Sequence, residues 1–280
     1  MTKLRMIILM TLTMIAFAAN ALLCRAALKQ TGIDAASFTT IRLVSGAMML
    51  WLVVRMKNGT SSGNWWSAFA LFAYAITFSF AYVTLPAGTG TLLLFGAVQA
   101  TMIGQGIWAG ERLLKLQLVG LVLALAGLIG LLLPGISAPP MAGSLLMLTA
   151  GVAWGVYSLR GRGSGDAIRV TAGNFLRAAP MAAAFSVLMY GRASVDAAGF
   201  WYAISSGALA SGIGYAIWYT TLPSLKAATA ASVQLSVPVI AAVGGIMFLG
   251  ELLTLRLVLS SAAILGGIAL VIYEKQHVRK

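Results

Sequence analysis

Tyr82-Val83-Thr84-Leu85-Pro86 and Tyr219-Thr220-Thr221-Leu222-Pro223 are two versions of one pentapeptide, 137 residues apart in a chain of 280. Each is followed by a Gly-Glu-x-Leu pattern, first Gly110-Glu111-Arg112-Leu113-Leu114 and then Gly250-Glu251-Leu252-Leu253-Thr254. Gly120 and Gly127 trail Glu111 at the same intervals at which Ser260 and Gly267 trail Glu251. Upstream, Arg25 and Arg42 reappear as Arg160 and Arg177, both shifted by 135. A unit of about half the chain has therefore been duplicated.

What is duplicated is membrane-spanning. Hydrophobic residues make up 60% of the chain and charged residues 9%, far from the balance of a soluble domain. Ten apolar runs lie near residues 5–25, 34–55, 65–83, 88–109, 115–133, 143–160, 170–190, 199–219, 224–249 and 254–273. At 1.5 Å per residue, roughly 20 residues cross about 30 Å of hydrocarbon, and the runs are too continuous to be barrel strands. The expected fold is an all-α membrane protein of ten transmembrane helices. They form two five-helix repeats, 1–135 and 141–280, joined by the turn-forming Pro134–Pro140 linker. Five is odd, so the copies face opposite ways, as in many secondary transporters.

The net charge of +13 invites a nucleic-acid reading, which its distribution excludes. With the N-terminus inside, cytoplasmic segments carry thirteen of the basic residues and the opposite side only Arg25, Lys29, Arg192 and Arg256. That is the positive-inside bias, and it predicts a multi-pass membrane protein with both termini cytoplasmic. Read as a signal peptide, the first 24 residues would take away the partner of the sixth span, so the first span is expected to stay. The Asn58-Gly59-Thr60 sequon falls in a predicted cytoplasmic loop and is discounted. One cysteine (Cys24) forms no internal disulfide and one histidine (His277) no metal cluster, so no cofactor is expected. The partners expected are a small-molecule substrate and the lipid bilayer; the sequence leaves the oligomeric state open.

Polar groups within hydrocarbon are costly and point to a path or a site. Two charges fall inside spans, Arg42 and Arg177, each eight residues past the start of its helix and about 12 Å deep. They either meet an anionic group of a substrate or snorkel and pin neighbouring helices. Aromatic residues recur at helical spacing: Tyr74, Phe78 and Tyr82 in span 3, Trp154 and Tyr157 in span 6, Tyr215 and Trp218 in span 8. Trp65, Trp66, Trp201 and Tyr202, with Tyr82 and Tyr219, suit an interfacial belt, whereas Tyr74, Trp154 and Tyr215 are deeper and suit a pocket or plain packing. Asn20, Gln99 and Gln234 add amides near mid-span, for a substrate or for interhelical bonds. Gly106/Gly110 and Gly151/Gly155 read as packing sites, Pro86 and Pro223 as helix starts, and Pro180 and Pro238 as internal hinges.

Asp34, Asp166, Asp196 and Glu274 lie in loops or at span ends, and Glu111 and Glu251 read as boundary residues of short turns. With no carboxylate at mid-membrane, facilitated transport or exchange is favoured over proton coupling through a buried acid. No nucleophile with a base and no metal site supports an enzyme. No repeated polar ring supports a channel.

The duplicated pattern resembles the drug/metabolite transporter superfamily in its ten-helix EamA-type branch. It is carried by Gly110-Glu111-Arg112-Leu113 with Gly120 and Gly127, Gly250-Glu251-Leu252 with Gly267, Trp154-Gly155, Arg42 and Arg177. The tryptophan and glycine of the family's first helix are here Ala19 and Asn20. The Trp154/Tyr157 pair and Tyr215-Ala216-Ile217-Trp218, without a buried acid, are similar to bacterial aromatic amino-acid exporters. The resemblance implies a secondary exporter of amino acids, aromatic ones first, working by alternating access. A carrier of cationic drugs or other metabolites, or a non-transporting scaffold, is the alternative. The candidate binding residues are Asn20, Arg42, Tyr74, Phe78, Gln99, Trp154, Tyr157, Arg177, Tyr215, Trp218 and Gln234.

Overall fold

The computed structural model describes residues 3–110, 114–135, 137–161, 165–221, 224 and 232–277. Glu111 as a boundary residue and Pro223 as a helix start lie outside the described residues.

Hydrocarbon offers backbone amides no water, so the apolar runs become helices. They are α1 (Lys3–Gln30), α2 (Ala35–Met56), α3 (Trp65–Tyr82), α4 (Ala87–Trp108), α5 (Lys115–Leu132), α6 (Met141–Arg160) and α7 (Ala167–Leu188). The eighth pass is composite: α8 (Ala197–Ile204), a π-helix (Ser205–Ile213) and α9 (Gly214–Thr221). α10 (Ser236–Leu249) and α11 (Leu255–His277) complete ten passes among the described residues. Eight candidate spans are long and apolar enough to cross a membrane. The others are α7, which holds Arg169, Arg177 and Pro180, and the composite eighth pass. This is a multi-pass, all-helical membrane protein.

Helix starts follow the capping rule. Asp34, Asn64, Asp166 and Asp196 are N-caps whose side chains accept from first-turn amides, so these three aspartates serve helix ends, as their positions predicted. Asp34 does more, since its second oxygen accepts from the Ser194 amide and its own amide donates to the Ser194 carbonyl, tying α2 to the segment before α8. Burial pushes the Asp34 carboxyl up, but hydrogen bonds from Ser37, Ser194 and Ala36 together hold it below the ordinary carboxylate value.

The packing has an internal exchange pattern. α5 packs on α11, α2 on α7 and α4 on α10. α3 lies on α6 as the eighth pass lies on α1, α4 on α6 as α10 on α1, and α2 on the π-helix as α7 on α3. Swapping the first five passes with the last five carries every one of these contacts into itself or into another on the same roll. Glycine permits the closest approaches: a Cβ on Gly267 would stand 2.3 Å from the Gly120 carbonyl oxygen, and one on Gly151 would stand 2.5 Å from the Ala97 Cβ. Gly151 and Gly155 thus pack α6 on α4, as read from the sequence, while Gly110 has open space beside it.

The eighth pass departs from the expected unbroken helix. Its middle, Ser-Ser-Gly-Ala-Leu-Ala-Ser-Gly-Ile, widens into nine residues of π-helix lying against α2. Small side chains let it come close; a Cβ on Gly207 would sit 2.1 Å from both the Arg42 carbonyl oxygen and the Ser45 hydroxyl. Such π segments often mark functional sites. Gly207→Ala should therefore destabilise the protein by about 1–3 kcal/mol through overpacking. Gly266→Ala, with nothing within 4 Å of the new Cβ, should leave stability unchanged or raise it. Denaturant unfolding in micelles measures both, and equal midpoints for the two variants would refute the close approach.

Candidate functional site

One cavity between the helices has an aromatic wall. Tyr74 and Phe78 stand one turn apart on α3, Trp154 faces them from α6, Tyr215 from α9 and Phe17 from α1. Asn20, Ala21, Thr91, Leu94, Phe95 and Gln234 complete the lining of a narrow cavity of about 30 Å³. That is far below the usual range of small-molecule pockets, so a ligand of amino-acid size fits only when the helices around the cavity part. Trp154 is the hub: its ring stacks on Tyr215 (centroids 5.4 Å, planes 19° apart) and on Tyr157 (5.3 Å, 29°), and meets Tyr74 at 4.8 Å.

Polar contacts converge behind this wall. The Tyr74 hydroxyl accepts from Asn20 Nδ2 (3.4 Å) and Arg42 Nη2 (3.1 Å). Asn20 Oδ1 in turn accepts from the Ser206 hydroxyl of the π-helix at 2.6 Å. The Arg42 guanidinium lies over Phe78 at 4.8 Å and over Tyr74 at 5.4 Å, so both rings hold a cation on one face.

Six of the eleven candidates therefore line one cavity: Asn20, Tyr74, Phe78, Trp154, Tyr215 and Gln234. The other five do not. Arg42 sits behind the Tyr74–Phe78 wall, and Tyr157 sits behind Trp154 with its hydroxyl bonded to Asn174 at 3.5 Å. Trp218 turns its ring edge to Phe17, and Gln99 is buried on α4 outside the lining. Arg177 is spent locally: it donates to the Gly173 carbonyl on its own helix and lies 6.0 Å from the exposed Trp65 ring. The two span arginines are thus unequal, one central and one peripheral. Phe17, Thr91, Leu94 and Phe95 were missed. Phe17 could have been found from its i, i+3 relation to Asn20, which puts both on one face of α1.

Tyr82 corrects the interfacial expectation. It is wholly buried, its ring packs edge-on against Phe78, and its hydroxyl donates to the Ala87 carbonyl. A Cβ on Gly90 would stand 2.5 Å from that ring, so α4 has made room for it.

Glu251 is more than a boundary residue. It follows Gly250, which ends α10 in the left-handed conformation at φ 63°, and it turns back into the protein. Its Oε1 pairs with Arg25 Nε at 3.2 Å while Oε2 accepts the Ala87 amide at 2.8 Å, at the start of α4. Arg25 also donates to the carbonyls of Tyr82 and Val83, and Lys29 to that of Leu249. These bonds clamp α1, the α3–α4 turn and the α10–α11 turn together at one end of the bundle. Removing one partner of such a buried pair strands the other charge, so Glu251→Ala should cost about 3 kcal/mol. Arg25→Met combined with Glu251→Ala should cost less than the sum of the two single changes by about 1 kcal/mol or more. A double-mutant cycle on unfolding in micelles measures this, and strict additivity would show the pair to be uncoupled.

Residues 141–273 match the model of the EamA-like transporter family. An uncharacterized protein of Pseudomonas aeruginosa is 56% identical over 271 residues, covering 96% of this chain and 94% of its own. A protein crystal structure at 18% identity aligns over 96% of this chain and 98% of its own with a TM-score of 0.68, a likeness of fold alone.

Proposed function

The chain belongs to the EamA-like transporter family of the drug/metabolite transporter superfamily, and from that premise we propose that it exports amino acids, aromatic ones above all, across a bacterial inner membrane. It is a membrane transporter of small molecules and not an enzyme. In this reading residues 1–135 and 141–280 are inverted repeats that rock against each other, with both termini cytoplasmic, as the positive-inside bias favours.

The observation that carries the reading is the aromatic wall at the meeting of the two halves. α1, α3 and α4 supply one side of the cavity, and α6, α9 and Gln234 the other. A planar side chain entering there finds ring faces and edges on both sides, so relative motion of the halves opens and closes the same contacts. Proton coupling through an acid has no support at the cavity. Among the described residues, the acidic side chains seen are three N-capping aspartates and Glu251, which is paired with Arg25. The energetically simplest process is flux down the substrate's own gradient or exchange.

Trp154→Ala removes the hub of the wall, and lost ring contact is worth about 0.5–1.5 kcal/mol beyond buried area. Counterflow of labelled phenylalanine in proteoliposomes should therefore weaken roughly two- to tenfold in apparent affinity. Trp65→Ala, which removes an exposed ring at the start of α3, should change it little at equal reconstituted amounts. If the Trp65 variant loses activity and the Trp154 variant keeps it, the site is elsewhere.

A further inference from the structure

Arg42 is 1% exposed, yet its Nε and Nη1 have no hydrogen-bond partner. Buried charges are ordinarily paired or fully hydrogen-bonded, because an unbalanced ion loses its hydration with nothing in return. The ion pairs among the described residues are Arg25–Glu251 and Arg169–Asp166, and neither reaches Arg42. Among the described residues, the side chain that it hydrogen-bonds is Tyr74, through the hydroxyl, and its charge rests on the faces of Tyr74 and Phe78. Both rings belong to the cavity wall, so an uncompensated positive charge stands one ring's thickness behind the binding space.

We propose that Arg42 sets the charge specificity of this site: the substrate class is the aromatic carboxylates, with an ammonium group tolerated but not required, and aromatic cations are rejected. The inference rests on the aromatic reading above. A carboxylate entering the cavity supplies the counter-charge that the fold withholds from Arg42, with the unused N–H groups of Nε and Nη1 available to it when the wall parts. A cation meets the opposite field in a low-dielectric setting. Arg42 already occupies faces of Tyr74 and Phe78, and Trp154 stacks against both Tyr215 and Tyr157. Among the described residues lining the cavity no acid answers an ammonium; only the Asn20 and Gln234 amides and Thr91 are polar besides the ring substituents.

The test is a series of three probes with one phenyl ring: phenylpropanoate, phenylalanine and phenylalaninamide. Binding to the purified full chain in micelles is followed by tryptophan fluorescence, at a pH about 6 that keeps the amide's amine charged. The expected order is phenylpropanoate at least as tight as phenylalanine, and both tighter than the amide by about tenfold or more. Arg42→Lys keeps the charge and should keep the order. Arg42→Met should abolish it by tightening the amide relative to the propanoate. Equal binding of amide and propanoate by the parent chain overturns the inference without any variant, as does a preserved order in Arg42→Met. If none of the three probes binds, the aromatic reading falls and this inference with it; if all bind without a charge order, only the inference falls.

Discussion

Every backbone amide and carbonyl at membrane depth must find its partner within the protein, and this one requirement governs what the chain can build. It makes the ten passes helical, and it leaves side-chain size as the main lever on how closely they approach. Where Gly120 and Gly267 meet, α5 and α11 come within carbonyl contact. Where Gly207 meets α2, the eighth pass relaxes into a π-helix that delivers the Ser206 hydroxyl to Asn20 and lies against the carbonyl of Arg42. The aromatic cavity lies beside the place where the helical rule is most locally bent.

Charge is used sparingly and in two different ways. At one end of the bundle Arg25 and Glu251 neutralise each other and take up the free ends of α3 and α4, so the pair acts as a clamp between segments far apart in sequence. At the centre, Arg42 has no such partner and lends its field to the cavity. Arg177, its counterpart at the corresponding position of the second half, is tied to its own helix beside Trp65. The two halves share a packing pattern but not a charge pattern. That inequality gives the cavity a single positive pole rather than a symmetric pair.

The helical passes were legible in the sequence, because hydropathy is a local signal that the bilayer reads directly. The cavity was half legible. Tyr74, Phe78, Trp154 and Tyr215 declared themselves as aromatics deep in spans, but spacing alone does not separate Trp154, which faces the space, from Tyr157, which stacks behind it. The Arg25–Glu251 bond was invisible, since its partners stand 226 positions apart and nothing in a single sequence pairs them. Tyr82 looked interfacial from its place at a helix end. It is buried because α4 turns back over it and Gly90 leaves room for the ring. The π-helix had only a faint sign, a run of serine, glycine and alanine, which permits a wide turn without specifying one.

In the proposed reading, substrate sits between the two halves against the Trp154 wall, with its carboxylate turned toward Arg42. A crystal structure with para-bromophenylalanine, phased on the anomalous signal of the bromine, tests it most directly. One bromine peak is expected within van der Waals reach of Trp154 and Tyr215, with the carboxylate on the Arg42 side of the ring. A peak outside the cavity, or a ligand in the cavity whose carboxylate points away from Arg42, would contradict it.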